Sequence, residues 1–64
     1  MTPDELRAAL TRLGLTQSGA ARLLHVEPRT VRRWIAGDRD IPGPAVVLLR
    51  LWLERPELLN PGQS

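Results

Sequence analysis

The stretch from Thr16 to Gly37 is the feature that most restricts how this chain can fold. Thr16 can cap a helix that follows it, and Leu15 before it can pack back onto the first turn. Pro28 is excluded from a helix interior but is well placed in a first turn, and Gly37 is a typical stop signal. The stretch therefore predicts two short helices joined by a tight turn, the second spanning residues 28–36.

Each of these two helices has a predicted apolar side. Helical i, i+3, i+4 spacing predicts a buried stripe on the first helix, formed by Ala20, Leu23 and Leu24. The second helix is expected to bury Val31, Trp34 and Ile35. Its other sides carry three basic residues: Arg29, Arg32 and Arg33. The apolar side should anchor the second helix while the arginines face outward.

Two further helices are predicted outside this pair. Thr2 and Glu5 have the spacing of a capping box, and Gly14 ends the helix that follows them. A longer helix should run from Pro44 until Pro56 stops it. One face of this last helix is expected to cover the core, and it consists of Ala45, Leu48, Leu49 and Trp52.

A chain of 64 residues supports one small domain. We assign residues 1–59 to an all-α, compact bundle of four to five helices, and residues 60–64 to a disordered tail. With no cysteine and one histidine, no metal site or cofactor is expected. No apolar run approaches the roughly 20 residues of a membrane span, and no signal pattern opens the chain, so we expect a cytoplasmic protein.

The positive charge is concentrated in one part of the chain. Residues 16–39 hold five arginines against two acidic residues, a net +3, whereas the remainder sums to −1. All nine basic residues are arginine, which favours bidentate contact with phosphate or guanine, although a GC-rich coding bias would also enrich arginine. The position of the cluster favours nucleic acid as a partner. Catalysis is not expected, because neither His25 nor Ser18 has an acid or base partner nearby in sequence.

Between roughly residues 3 and 53 the chain resembles the phage-repressor and Cro-like family of helix-turn-helix regulators. Gln17 opens the motif as in that family, and Ala21 matches the small residue at the helix crossing. The matching core positions are Val26, Val31 and Trp34. His25 stands where the family usually has glycine in the turn, a position that histidine tolerates better than most residues. The resemblance implies a lambda-repressor-like bundle.

The resemblance also implies a sequence-specific regulator that binds double-stranded DNA with the helix at 28–36 in the major groove. The DNA-contacting residues would be Gln17, Pro28, Arg29, Thr30, Arg32, Arg33 and Arg39. Gln17 and Thr30 would hold phosphate or the groove edge. The base readers would be Arg29 and Arg33, while Arg32 would reach the backbone or a flanking base.

Pro28 differs from the residue usual in the family, and Arg39 has an alternative role. Pro28 stands where the family often reads a base with a polar side chain, and it can offer only apolar contact, for example to a thymine methyl group. Arg39 lies in a loop that runs along the DNA backbone in the family. Because Asp38 and Asp40 flank it, an internal salt bridge is the alternative role.

The last predicted helix has more apolar residues than its core face can use. A second surface must bury them, and a two-fold pair of identical faces is the simplest solution. The expected dimer interface contains Val47, Leu51, Leu58 and Leu59. A membrane is the competing use of such a face, but the flanking basic residues are missing.

Together with the resemblance, these features predict a homodimeric repressor that binds an inverted-repeat operator. Members of this family often repress their own promoter. The protein is expected in a bacterial or phage-infected cell, where it would be associated with the nucleoid. Two alternatives stay open. An antitoxin or phage-accessory regulator of the same fold would also bind a protein partner. A helical interaction module would use the apolar helix to dock a protein and would not touch DNA.

Overall fold

The computed structural model describes residues 1–59, and over that range the chain is helical with no strand. The helices are α1 (Pro3–Leu13), α2 (Gln17–Leu24), α3 (Pro28–Ala36) and α4 (Gly43–Glu54), and a 3₁₀ turn, Pro56–Leu59, follows them. The predicted all-α fold of four to five helices is confirmed. The predicted disordered tail at 60–64 lies outside the described residues. None of the described helices has the length and apolar character needed to cross a membrane.

Side-chain caps fix where α1 and α2 begin. The Thr2 hydroxyl accepts a hydrogen bond from the Glu5 N–H at 3.1 Å, and the Thr2 N–H donates to Glu5 Oε1 at 2.8 Å, so the predicted capping box is confirmed. The hydrogen bond that the Thr2 N–H donates to the Glu5 carboxylate, with a further contribution from the Thr2 side chain, holds the pKa of Glu5 below its ordinary value. At α2, Thr16 Oγ1 accepts from the Gly19 N–H at 2.9 Å.

The first three helices all end on a residue in the left-handed conformation. These residues are Gly14 (φ 69°), His25 (φ 59°) and Gly37 (φ 82°). His25 is the one non-glycine residue among 1–59 with positive φ. The predicted turn therefore forms with histidine in a conformation that glycine adopts at lower energy. Its N–H still donates to carbonyls of the preceding helical turn, as in a glycine-ended helix.

The core is a single apolar cluster to which all four helices contribute. Its buried side chains are Leu6, Leu10, Ala20, Ala21, Val31, Trp34, Ala45, Leu49 and Trp52. Both tryptophans are buried, as expected for structural rather than base-stacking residues. Ala21 is 1% exposed where α2 packs against α3, and its small side chain permits a close crossing of the two helices.

Two leucines expected in the core are exposed instead. Leu23 is 36% and Leu48 is 38% exposed. On α2 the buried arc runs through Ala20 and Ala21, and Leu23 lies on the far side of Ala20 from Ala21. On α4 the buried residues Ala45, Leu49 and Trp52 form a narrow stripe, and Leu48 lies about 60° to one side of Ala45 at 3.6 residues per turn. Both predictions assumed that a wider sector of each helix is buried than the structure shows.

Candidate nucleic-acid interface

The helix α3 separates anchoring residues from exposed ones within nine residues. Pro28 occupies its first turn, and Glu27 before it is extended and makes no side-chain cap. Val31 is 0% exposed and Trp34 is 3% exposed, so both lock the helix into the core. Ile35, the third residue expected on the apolar side, is half-buried against the core.

The exposed side of α3 is basic, and we call Arg29, Arg32 and Arg33 the arginine face. All three arginines are exposed, and they border one open concavity of about 250 Å³ together with Ala36 and Asp38. Within residues 1–59 the one ion pair joins Arg7 to Asp4, so no described carboxylate pairs with the arginine face. Its guanidinium groups keep their donors available for an external anion or base edge.

A neighbouring concavity of about 330 Å³ brings the loop after α3 next to this face. Thr30, Arg33 and Arg39 border it, and Asp40 lies on the same rim. Thr30 is half-buried, whereas Arg39 is exposed. Arg39 forms no ion pair with a carboxylate of residues 1–59, so the alternative of a salt bridge to Asp38 or Asp40 does not occur in the structure.

The remaining predicted contacts lie at the starts of α2 and α3. Gln17 is the first residue of α2 and is exposed, but it borders a third concavity rather than either of those that contain Arg33. Pro28 is exposed in the first turn of α3. The predicted set is therefore distributed over three concavities, with Pro28 outside them, instead of one pocket.

Arg7 shares the concavity of Gln17. From the sequence alone a phosphate contact is one interpretation of Arg7 on α1, but a solvated helix face is the commoner explanation, and the predicted site does not include Arg7. Its Nη1 lies 3.3 Å from Asp4 Oδ1, and its Nη2 donates to the Ile35 carbonyl at 3.5 Å. That carbonyl belongs to the last turn of α3, where an arginine satisfies an otherwise unpaired acceptor and complements the helix dipole. The i, i+3 pair with Asp4 was readable from the sequence, but the contact across 28 residues was not.

The predicted dimer residues lie on α4 and on the 3₁₀ turn after it. Val47 is 66%, Leu51 39% and Leu58 45% exposed, and with Leu48 they form what we call the apolar α4 face. Leu59 differs because it is half-buried and packs against the core of its own chain.

Comparisons with known proteins identify a family and two relatives. A family model described as helix-turn-helix matches residues 6–49. The chain is 38% identical to the antitoxin HigA-2 of Vibrio cholerae over 61 residues, which cover 94% of this chain and 58% of that protein. It is 43% identical to the transcriptional repressor protein KorC of Escherichia coli over 49 residues, covering 72% of this chain and 58% of that protein. The chain thus spans less than two thirds of the length of either relative. No solved structure matches it.

Proposed function

The chain belongs to the helix-turn-helix family, and from this premise we propose that it regulates transcription by binding specific DNA sequences with α3 in the major groove. The observation that carries the proposal is the arginine face. It stands exposed and without a described carboxylate partner on a helix whose opposite side is anchored in the core. A rigid helix of this kind can present base-reading side chains at fixed spacing, which specific recognition requires.

Base reading is assigned to Arg29 and Arg33, with Arg32 reaching the backbone or a flanking base. Arginine forks onto the O6 and N7 atoms of guanine, and each such contact discriminates against the wrong base by about 1–3 kcal/mol. Pro28 adds an apolar contact, for which a thymine methyl group is the suitable partner. The operator is therefore expected to place guanines opposite the two arginines.

Phosphate contacts on both sides of the groove would fix the register of α3. Gln17 at the start of α2 serves one side, since the first helix of this motif crosses the DNA backbone. Thr30 and Arg39 serve the other, and their shared concavity with Arg33 supports this assignment. Contacts of this kind position the protein without reading sequence.

We also infer that the protein acts as a homodimer through the apolar α4 face, which includes Leu58, with Leu59 at its edge. Four exposed large apolar side chains on one helix and the turn after it favour burial against a second copy in so small a domain. The two recognition helices would then lie about 34–36 Å apart and the operator would be an inverted repeat.

Replacing Leu51 by Glu tests the dimer. The variant places a charge in the middle of the apolar α4 face and should be monomeric at micromolar concentration by light scattering. Ala8→Glu is the matched control, because it adds the same charge at an exposed position of α1, and it should leave the mass of the dimer unchanged. A Leu51→Glu variant with the mass of the unmodified protein contradicts this interface.

Repression is the proposed outcome of DNA binding, including repression of the protein's own promoter. The name of KorC, a transcriptional repressor, supports this choice. A second candidate is a regulator that also binds a protein toxin, and the alignment with an antitoxin over 94% of the chain favours it. In that case the apolar α4 face would be available to the protein partner.

The primary test is selection of bound duplexes from a random library at near-physiological salt, followed by affinity measurements on the best site. Specific binders are typically at least about a thousandfold tighter on their site than on other DNA. Arg29→Ala combined with Arg33→Ala should abolish this preference while the fold and the dimer persist. The control removes two exposed arginines outside the interface, Arg12 and Arg50, so the net charge changes equally.

The outcome separates the proposed regulator from an interaction module that ignores DNA. Enrichment of an inverted repeat that the Arg29, Arg33 variant no longer prefers supports the regulator. If no sequence is enriched, or if the control variant loses as much preference as the arginine-face variant, sequence-specific recognition by α3 is wrong.

A further inference from the structure

The concavity between α1 and the start of α2 combines an apolar floor with a polar rim. Leu10, Leu15 and Ile35 contribute to its lining, with Arg7 and Gln17 beside them in a volume of about 320 Å³. Thr11 Oγ1 donates its proton to the Arg7 carbonyl at 3.0 Å, whereas Thr16 Oγ1 caps α2 as an acceptor and keeps its own proton. The side chains of Arg7 and Gln17, together with the Thr16 hydroxyl, therefore supply the donors that a ligand in this concavity would meet.

The contacts of Arg7 leave its guanidinium able to take another partner. Its bonds to Asp4 and to the Ile35 carbonyl, at 3.3 and 3.5 Å, are longer than the usual 2.7–3.2 Å range for N–H···O hydrogen bonds. The Arg7 and Asp4 side chains are 60% and 91% exposed, and exposed pairs of this kind contribute little. A guanidinium carries five N–H donors, and these contacts use two of them. The three that remain can donate charge-assisted hydrogen bonds to a phosphate group.

We propose that Arg7 and Gln17 together bind one phosphate of the DNA backbone, which makes α1 part of the DNA interface. The inference rests on the proposed function, because only DNA bound by α3 brings the backbone across the start of α2. The Arg7 guanidinium beside the Gln17 amide makes phosphate binding stronger than the amide alone would, because its hydrogen bonds are charge-assisted. Since Arg7 also contacts the last turn of α3, the same side chain links the phosphate to the recognition helix and fixes its register.

Arg7→Gln and Arg12→Gln form a matched pair of variants on α1 that tests the contact of Arg7 with phosphate. Both variants remove one positive charge from an exposed position, but Arg12 borders a different concavity, together with Glu5 and Arg50. The exposed contacts of Arg7 contribute little to stability, so the fold of Arg7→Gln should survive, and thermal unfolding checks that it does. Affinity for the best duplex from the library is then measured across a salt series.

Loss of one phosphate contact should lower the slope of log affinity against log salt by about 0.9. Between 50 and 200 mM salt the advantage of the unmodified protein over Arg7→Gln should therefore shrink about threefold. Arg12→Gln should keep the slope of the unmodified protein, and Arg7→Lys should restore it with weaker binding, because lysine keeps the charge but not the fork. An Arg7→Gln slope equal to that of the unmodified protein overturns the inference.

If Arg7→Gln does not fold, chemically neutral methylphosphonates placed one at a time in the duplex test the same contact. At one phosphate the substitution should cost the unmodified protein more affinity than it costs Arg7→Lys, and equal losses at every phosphate overturn the inference. Failure of the proposed function looks different, because the unmodified protein would then select no sequence at all.

Discussion

Replacing His25 by Gly should stabilise the protein, because His25 holds a backbone conformation that suits glycine. Its φ and ψ of 59° and 42° lie in the left-handed region, and its side chain is exposed. No described hydrogen bond uses the imidazole, so its removal should break none in the structure. The substitution therefore changes mainly the backbone energy of the turn between α2 and α3.

The size of the effect is the difference between two opposing contributions. The left-handed conformation costs an L-residue about 1–2 kcal/mol, which glycine avoids. Glycine in turn loses more conformational entropy on folding, worth roughly 0.5–1 kcal/mol. The two ranges differ by about 0–1.5 kcal/mol, and because histidine tolerates this region better than most residues, the net gain should be about 0.5 kcal/mol. For a domain of about 60 residues, that gain corresponds to a rise in Tm of about 2–4 °C.

Thermal unfolding followed by circular dichroism measures this gain, and Gly14→Ala is the mirror-image control. A Cβ at Gly14 meets no atom within 4 Å, so its cost reports the left-handed backbone alone. The control should lower Tm by a similar amount, and His25→Ala should give no gain. A Tm that falls in His25→Gly would refute the reasoning, because it would mean that the imidazole stabilises the turn.

Three other perturbations test the fold and the surface. The lowered pKa of Glu5 stabilises the fold at pH values above its ordinary pKa of 4.5, where the carboxylate is ionised. This stabilisation is lost as the pH falls through the lowered pKa. The Tm of Glu5→Gln should therefore fall less on acidification than that of the unmodified protein. Leu49→Ala should cost about 2–5 kcal/mol in urea unfolding, whereas Leu48→Ala, at a position that is 38% exposed, should cost far less, and equal losses would contradict the assignment of α4 faces. Arg39→Ala should weaken binding to all DNA sequences alike and lower the salt slope by about 0.9, and a change confined to one base position would contradict a backbone role.

The helix boundaries could be predicted because their signals are local in the sequence. The cap at Thr16 and the stop at Gly37 each act within one helical turn, so neighbouring residues suffice to recognise them. The span predicted for α3 matches the structure for this reason. His25 was predicted to enter the turn because the residues on both sides of it define a helix end and a helix start.

Contacts between distant parts of the chain could not be predicted in the same way. Whether Leu48 is buried depends on how wide a stripe of α4 touches the other helices, and periodicity gives the centre of a stripe but not its width. The contact of Arg7 with the end of α3 and the closeness of Arg39 to Arg33 depend on how the helices cross. The arginine face needed no such knowledge, because its three residues share one short helix.

The separation of buried anchoring residues from exposed arginines on α3 has an evolutionary consequence. Stability depends on Val31 and Trp34, and exposed positions away from such features usually tolerate substitution within about 0.5 kcal/mol. Residues 29, 32 and 33 can therefore vary almost independently of the fold. If α3 reads bases as proposed, a duplicated copy of this chain could recognise a different DNA sequence through changes at these three positions while it keeps its fold.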